Sequence, residues 1–256
     1  MATPASALEQ LHKSKQQPRF RVEFADSPAA RLQCYQLRYQ VFATELGAEV
    51  RGTEPGIDKD RFDDHCTHIA VFDNKSNELV ATTRLLDNQG RLATGIFYSE
   101  TEFDMRSILE QDKAYLEIGR TCIRPEYRRG AALPMLWQGI ARHVVEREID
   151  YLFGCASIPL ANGEKHLNSI MTHIRDKHFS TPECRVRPLI PLRLDPNGPL
   201  ADDVILPTLL KAYLRQGAVI CGEPYWDAAF GVADVFVLLQ CDQITNRYVK
   251  HFIDRI

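Results

Sequence analysis

Apolar and polar residues alternate over 19–25 (RFRVEFA), which predicts a strand, and 29–47 (AARLQCYQLRYQVFATELG) repeats apolar residues at helical spacing before stopping at Gly47. Residues 48–63 collect Gly, Asp and Glu and predict a loop. HIAVFD (68–73) and LVATTRLLD (79–87), joined by the turn-forming NKSNE, predict a hairpin. Short apolar groups between 90 and 111 predict a loop with a short helix, and YLEIGRTCI (115–123) is the next strand. Leu133, Leu136, Trp137, Ile140, Ala141, Val144 and Val145 then fall on one helical stripe that must be buried. DYLFGCASI (150–158) is almost continuously apolar, as a central strand covered on both faces should be, and helical spacing returns over 165–179. The proline-rich stretch 180–200 reads as extended between 184 and 194. A helix is expected over 202–217, with Pro207 signalling either a kink or a late start. AVICG and ADVFVLL supply two last strands, with a helical segment from Gln243. The pattern predicts a polar, disordered leader over 1–18 and a single α/β domain over 19–256, its C-terminal third packed onto the rest.

Composition narrows this only a little. A chain of 256 residues with 45% hydrophobic content can bury a full core, and a net charge of −3 argues against nucleic acid as a partner. The seven cysteines are odd in number, form no CxxC pair and lie mostly in apolar runs, which predicts buried, reduced thiols in the cytoplasm. The N-terminal stretch has no apolar h-region, and no apolar run approaches the ~20 residues that span a bilayer. Contact with a membrane surface stays open.

The densest chemistry lies in 115–132, YLEIGRTCIRPEYRRGAA, where an apolar strand carrying Glu117 and Arg120 breaks into a basic turn ahead of the amphipathic helix. Unpaired N–H groups at the helix start, the helix dipole and the arginines together predict a phosphate cradle.

The element order, with its basic turn between a strand and a helix, resembles the Gcn5-related N-acyltransferase fold, a mixed central sheet flanked by helices. In that fold this turn holds the pyrophosphate of coenzyme A. Here RPEYRRGAALP departs from the usual Q/R-x-x-G-x-G/A signature, since Tyr127 stands three before Gly130. A single phosphate, that of phosphopantetheine on an acyl carrier protein, needs less, and Arg124, Arg128 and Arg129 suit it and the carrier's acidic surface. Arg38, Phe42, Asp60, Asp63, Arg84, Glu117 and Arg120 occur in the order found in acyl-homoserine-lactone synthases. RYQVFATELGAE, DKDRFDDHCTHIAVFD, TGIFYSETEFDM, LEIGRTCIRPEYR, PMLWQGIARHV, DYLFGCAS and RYVKHF look more like bacterial L-ornithine N-alpha-acyltransferases. That resemblance implies transfer of a fatty, 3-hydroxylated acyl group from acyl carrier protein to the α-amine of L-ornithine, giving a lyso-ornithine lipid. It implies no bound cofactor, and a downstream O-acyltransferase as partner. An N-acyl amino acid or signal synthase with another amine acceptor is the alternative, and a non-catalytic carrier-binding module a third reading.

Glu117, inside an apolar strand, is the candidate base: burial raises a carboxylate pKa and a nearby arginine lowers it. The competing reading is a buried ion pair with Arg120 or Arg84. Residues 117 and 120 have opposite parity on a regular strand, so their pairing requires a bulge, which the resemblance implies. Gly130 and the N–H groups near Cys122 and Ile123 complete the expected thioester site, the latter as oxyanion donors. Asp60 and Asp63 suit an acceptor bearing amino groups, with Arg38 or Arg84 on its α-carboxylate; equally, the acids pair internally with those arginines. Phe97, Tyr98 and Phe103 line an acyl channel or belong to the core. His65, Cys66 and His68 lack further ligands at zinc-like spacing, so no metal site is expected. Cys122 reads as a packed thiol rather than a nucleophile.

Overall fold

The computed structural model describes residues 18–50, 54–195 and 198–244. The expected leader, up to residue 17, and the RYVKHF string at 247–252 lie outside these residues.

Strand β1 (Phe20–Phe24) leads into α1 (Pro28–Tyr39), whose start is set by Ser27 accepting the Ala30 N–H and by Pro28 in the first turn. The helix does not end at Tyr39 but widens into a π-helical turn, Gln40–Glu45, before Gly47 at φ 72°. The hairpin forms as β2 (Thr67–Asp73) and β3 (Glu78–Asp87). Between β3 and β5 (Tyr115–Ile123) lie α2 (Asn88–Thr94), a 3₁₀ turn at Tyr98–Thr101, β4 (Phe103–Asp104) and α3 (Arg106–Leu109). The striped helix is α4 (Ala132–Glu146), followed by β6 (Tyr151–Pro159) and α5 (Glu164–Lys177). In the C-terminal third, β7 (Arg187–Pro188) is followed by α6 (Thr208–Arg215), which is shorter than predicted: Pro207 caps it and 202–207 is not helical, so the proline marks a late start. β8 (Val219–Ile220), β9 (Tyr225–Asp227), β10 (Val232–Gln240) and α7 (Cys241–Ile244) complete the described chain.

The main sheet runs β1-β2-β3-β5-β6-β10-β8, with β9 on β10; every pairing is antiparallel except β5 with β6. Period-2 alternation sends Ile69 and Val71 to one face and Ala70 and Phe72 to the other. Leu136, Trp137, Ile140 and Val144 of α4 pack on the first face, joined by α5 and α6, and each buried side chain contributes about 1.5–3 kcal/mol. The second face is covered by α1 over β2 and β3, and by the 97–109 region over β5, β6 and β10. Among the described residues no helix is long and apolar enough to cross a membrane.

The parallel pair is short. β5 and β6 share only the register Tyr115↔Tyr151 to Glu117↔Phe153, although β5 continues to Ile123 and β6 to Pro159. Just beyond, the backbones are still in close contact, since a Cβ added to Gly154 would lie 2.3 Å from the Ile118 carbonyl oxygen, and no further residues of the two strands pair. Gly154→Ala is therefore expected to cost about 1–3 kcal/mol, seen as a fall of about 2–10 °C in Tm. An unchanged melting curve would show that the strands separate there without cost.

Candidate active site

Parting of β5 from β6 leaves the β6-facing edge of Ile118–Ile123 without a strand partner, and a bulge shapes the same segment. Thr82 faces Cys122 and Arg84 faces Gly119, so β5 carries one extra residue there, and Arg120 sits at φ 50°. The bulge reverses side-chain parity. Glu117, Arg120 and Cys122 all lie on the second face, whereas Ile118 and Ile123 point to the first. The bulge expected from resemblance is present, but it does not pair Glu117 with Arg120.

Arg120 instead joins a buried lattice of charges. Asp63, fully buried, takes Arg38 in a two-pronged contact (Nη1 at 2.6 Å, Nη2 at 3.0 Å), Arg84 Nη1 at 3.0 Å and the Asp60 N–H at 2.7 Å. Arg38 Nε reaches Asp58 at 2.9 Å, and Arg84 Nη1 reaches Asp60 at 2.6 Å. Arg120 stands at 3.5 Å from both Asp58 and Asp60. Burial alone would push Asp63 up, yet Arg38 and Arg84 hold its carboxyl well below the ordinary range, and Asp63 keeps Arg38 charged against the same burial. Of the two readings of Arg38 and Asp63, internal pairing is the arrangement present: every guanidinium nitrogen of Arg38 and both carboxylate oxygens of Asp63 are bonded inside the lattice. Asp58 went unnoticed in the sequence. Three buried polar atoms in the lattice have no hydrogen-bond partner, Asp60 Oδ2, Arg84 Nη2 and Arg120 Nε. Tyr98 (4.9 Å) and Phe230 (5.4 Å) lie against the Arg120 guanidinium, and Phe42 packs edge-on against Phe230.

Glu117 turns away toward the 3₁₀ turn. It accepts the N–H groups of Tyr98 (2.8 Å) and Ser99 (2.6 Å) and the Ser99 hydroxyl (2.5 Å), while burial raises its pKa against these bonds. Cys155, on β6 beside the strand gap, donates its thiol to Ser99 Oγ at 3.4 Å, so hydroxyl and thiol link Glu117 to the gap. An apolar pocket lies beside the end of the β5–β6 pairing, lined on the first face by Ile118, Trp137, Leu152, Gly154, Tyr213 and Val237.

The aromatic channel is corrected in part. Phe97 and Phe103 are core residues, Phe97 edge-on to Phe153 at 4.9 Å and Phe103 to Phe236 at 5.8 Å; only Tyr98, half-buried, faces the arginines. The basic turn is also corrected. Arg128 holds Glu45 through two contacts of 2.6 Å and the Ile123 carbonyl at 3.0 Å, and Arg124 donates to the Leu79 carbonyl at 2.8 Å. The three arginines thus do not converge on one anion. Arg129 and Gly130 are exposed just ahead of α4, whose N-terminus has no side-chain cap. Cys122 is a buried thiol pushed up to about 12 by its burial, beside the core residue Ile123. Of the discounted metal trio, Cys66 is likewise raised to about 12 by burial, and His68 contacts the Asp63 carbonyl at 3.0 Å.

A second acidic group was not foreseen. Glu102, just after the 3₁₀ turn, Asp227 at the end of β9 and Asp234 on β10 bring carboxylate oxygens within 4.8 Å of one another. Burial, then Asp234, pushes Glu102 up to about 8; burial, then Asp227, pushes Asp234 up to about 6, although Ser157 donates to it at 2.6 Å. No local motif signals this group, because Glu102 lies far in the chain from Asp227 and Asp234.

A stability signature follows from Glu102. With a folded pKa of about 8 against 4.5 for the ordinary side chain, the folded protein holds the extra proton between these values. Its contribution is fully present below about 4.5 and is lost as pH rises through about 8. Glu102→Gln removes that loss while leaving the histidines and Asp63 to titrate alike in both proteins. The variant should therefore gain Tm over the wild type from pH 5 to pH 8, and an equal difference at both values would refute the assignment.

Residues 37–138 match the acetyltransferase (GNAT) domain model. The chain is 35% identical over 249 residues to L-ornithine N(alpha)-acyltransferase of Brucella abortus (strain 2308), covering 90% of this chain and 88% of that one. It is 33% identical to the Rhizobium meliloti (strain 1021) enzyme of the same name, over 84% and 78% of the two chains. Among solved structures, the CoA-dependent acyl-homoserine lactone synthase BjaI with SAM and isopentyl-CoA shares the fold at a TM-score of 0.55 and 12% identity, covering 93% and 88%. FeeM, an N-acyl amino acid synthase from uncultured soil microbes, does so at 0.52 and 13%, covering 92% and 98%. On its similarity to these relatives, the chain belongs to the L-ornithine N(alpha)-acyltransferase family of GNAT-fold N-acyltransferases.

Proposed function

We propose that this N-acyltransferase moves a 3-hydroxylated fatty acyl group from the phosphopantetheine thioester of acyl carrier protein to the α-amine of L-ornithine, releasing a lyso-ornithine lipid. The observation that carries this reading is the coincidence of an apolar pocket beside the end of the β5–β6 pairing with charged atoms that make no hydrogen bond on the opposite face of the sheet. The apolar lining of the pocket suits the thioester end of the donor, and a small zwitterion suits the charged face. Arg120, held against Tyr98 and Phe230 with its Nε 3.5 Å from Asp58 and in no hydrogen bond, is the group for the acceptor's α-carboxylate, with Arg84 Nη2 beside it.

Chemically, the neutral amine attacks the thioester carbon, a C–N bond forms, and the C–S bond breaks. The α-ammonium loses two protons in all: one ends on the departing pantetheine sulfur and one in solvent. Unpaired N–H groups on the edge of Ile118–Ile123 are the donors for the developing oxyanion. Glu117 is too enclosed to touch the amine, so its part in proton removal is that of the inner end of a relay through the Ser99 hydroxyl. The phosphate is taken by the uncapped start of α4, with Arg129 toward the carrier. The exposed side chains of Leu189, Ile190 and Trp226, the last two joined through the Trp226 N–H, offer the amphiphilic product contact with a membrane, where an O-acyltransferase would complete it.

The decisive assay incubates the full chain with L-ornithine and either acylated carrier protein or the matching acyl-CoA, and weighs the product. Acyl-ornithine should form at least 100-fold faster from the carrier. Equal or better use of acyl-CoA overturns the donor, and preference for tyrosine, lysine or a homoserine derivative overturns the acceptor.

A second measurement isolates the relay. Ser99→Ala keeps both N–H groups that anchor Glu117 and removes only the hydroxyl, so kcat should fall about 100-fold with KM little changed. Wild-type kcat in this variant would leave Glu117 as an anchor of the turn and nothing more.

A further inference from the structure

The structure assigns the Glu102, Asp227 and Asp234 group as the binding site for the side-chain ammonium of a diamino acid acceptor, the contact that selects a basic amino acid over a neutral one. This deepens the proposed function and rests on it.

The first argument is charge. The lattice of Arg38, Arg84 and Arg120 with Asp58, Asp60 and Asp63 is balanced, three against three. Glu102, Asp227 and Asp234 have no comparable counter-charge: none of them forms an ion pair with an arginine, lysine or histidine among the described residues, and only Arg120 acts on Asp234 from a distance. Carboxylates gathered out of water without a cation repel one another, and a cation relieves this.

The second argument is a vacancy in hydrogen bonding. Glu102 is 4% exposed and its carboxyl hydrogen-bonds with the side chains of Cys155 and Tyr98, yet its Oε2 has no hydrogen-bond partner, whereas Asp234 is held by Ser157 and Asp227 caps the turn at Ala229 and Phe230. A buried acceptor left open beside two further carboxylates calls for a donor with several hydrogens and a positive charge. A primary ammonium, with three donors, matches three carboxylates, and burial strengthens each contact.

Position supplies the third argument. Asp234, Cys155 and Ser157 lie on the same face of the sheet as Arg120, and Cys155, which borders the strand gap, also touches Glu102 electrostatically. Tyr98 spans the two ends, with the Arg120 guanidinium over its ring and Glu102 acting on its hydroxyl. A zwitterionic head on Arg120 and a short aliphatic chain ending in the acidic group would leave the α-amine beside the gap. Half-buried Asp227 opens the group to solvent.

The test compares L-ornithine with L-norvaline, which has the same carbon chain and no terminal amine, as acceptors for wild type, Glu102→Gln and Asp234→Asn. Wild type should favour ornithine by at least 100-fold in kcat/KM. Each variant should lose about 10- to 100-fold of that preference through a higher KM for ornithine, with kcat and the use of norvaline nearly unchanged. Should either fail to fold, Asp227→Asn, on the more exposed member, carries the same expectation. Folded variants that keep the wild-type preference overturn the assignment while leaving ornithine as acceptor. Ornithine use that disappears with a chelator and returns with Mg²⁺ or Ca²⁺ overturns it in favour of a metal site. Wild type that acylates neutral amino acids in preference overturns both this assignment and the proposed acceptor.

Discussion

The charged lattice on the second face of the sheet depends on one buried carboxylate, Asp63. It receives Arg38 from α1, Arg84 from β3 and the backbone of its own loop at Asp60, so a helix, a strand and a loop are fixed to one another through a single side chain. Such a centre is costly to desolvate and is sustained only because every charge in it is matched; removing one partner of a buried pair typically costs about 3–5 kcal/mol. What the lattice provides is rigidity. It sets Arg84 and Asp60 in place, and through Asp58 and Asp60 it positions Arg120, the member that also reaches the rings of Tyr98 and Phe230.

The second constraint is local to β5. One extra residue at Arg120 turns Arg120 to the face that Glu117 occupies, and pairing with β6 ends at Glu117↔Phe153, so the β6-facing edge of β5 beyond it has no strand partner. These two departures from a regular strand work together. The end of pairing frees backbone groups on the edge of β5, and the bulge brings a cation to the second face beside them. Glu117 then fastens the Tyr98–Thr101 turn on the same face, which places Tyr98, Ser99 and Glu102.

The fold was legible because burial imposes period: the stripe of α4, the alternation of β2 and the continuous apolar run of β6 each announce which face meets the core. Pro207 was legible as a break and left open only its kind. The site was legible in composition but not in pairing. Arg38, Asp60, Asp63, Arg84, Glu117 and Arg120 do gather in one region, yet sequence order cannot say which charges neutralise each other and which face a ligand. Phe97 and Phe103 illustrate the same limit, since an aromatic residue beside a site reads alike whether it lines a channel or fills a core. Glu102, Asp227, Asp234 and Phe230 were invisible for a different reason. They meet only because β9 and β10 fold back beside the 3₁₀ turn, a long-range contact that leaves no local spacing.

Two acidic groups therefore stand near one another with opposite electrostatic character, and the difference lies in their partners. Around Asp63 the arginines outweigh burial and hold the carboxyl low, which marks a group already satisfied by the protein. Around Glu102 burial and neighbouring acids act in the same direction and hold the carboxyl high, which marks a group short of a cation. A protein gains no stability from the second arrangement when it is empty, because protonation or repulsion must relieve it. Its cost is offset only when something positive enters. Acid residues near an active site are thus separated into framework and recognition by whether the fold supplies their counter-charge.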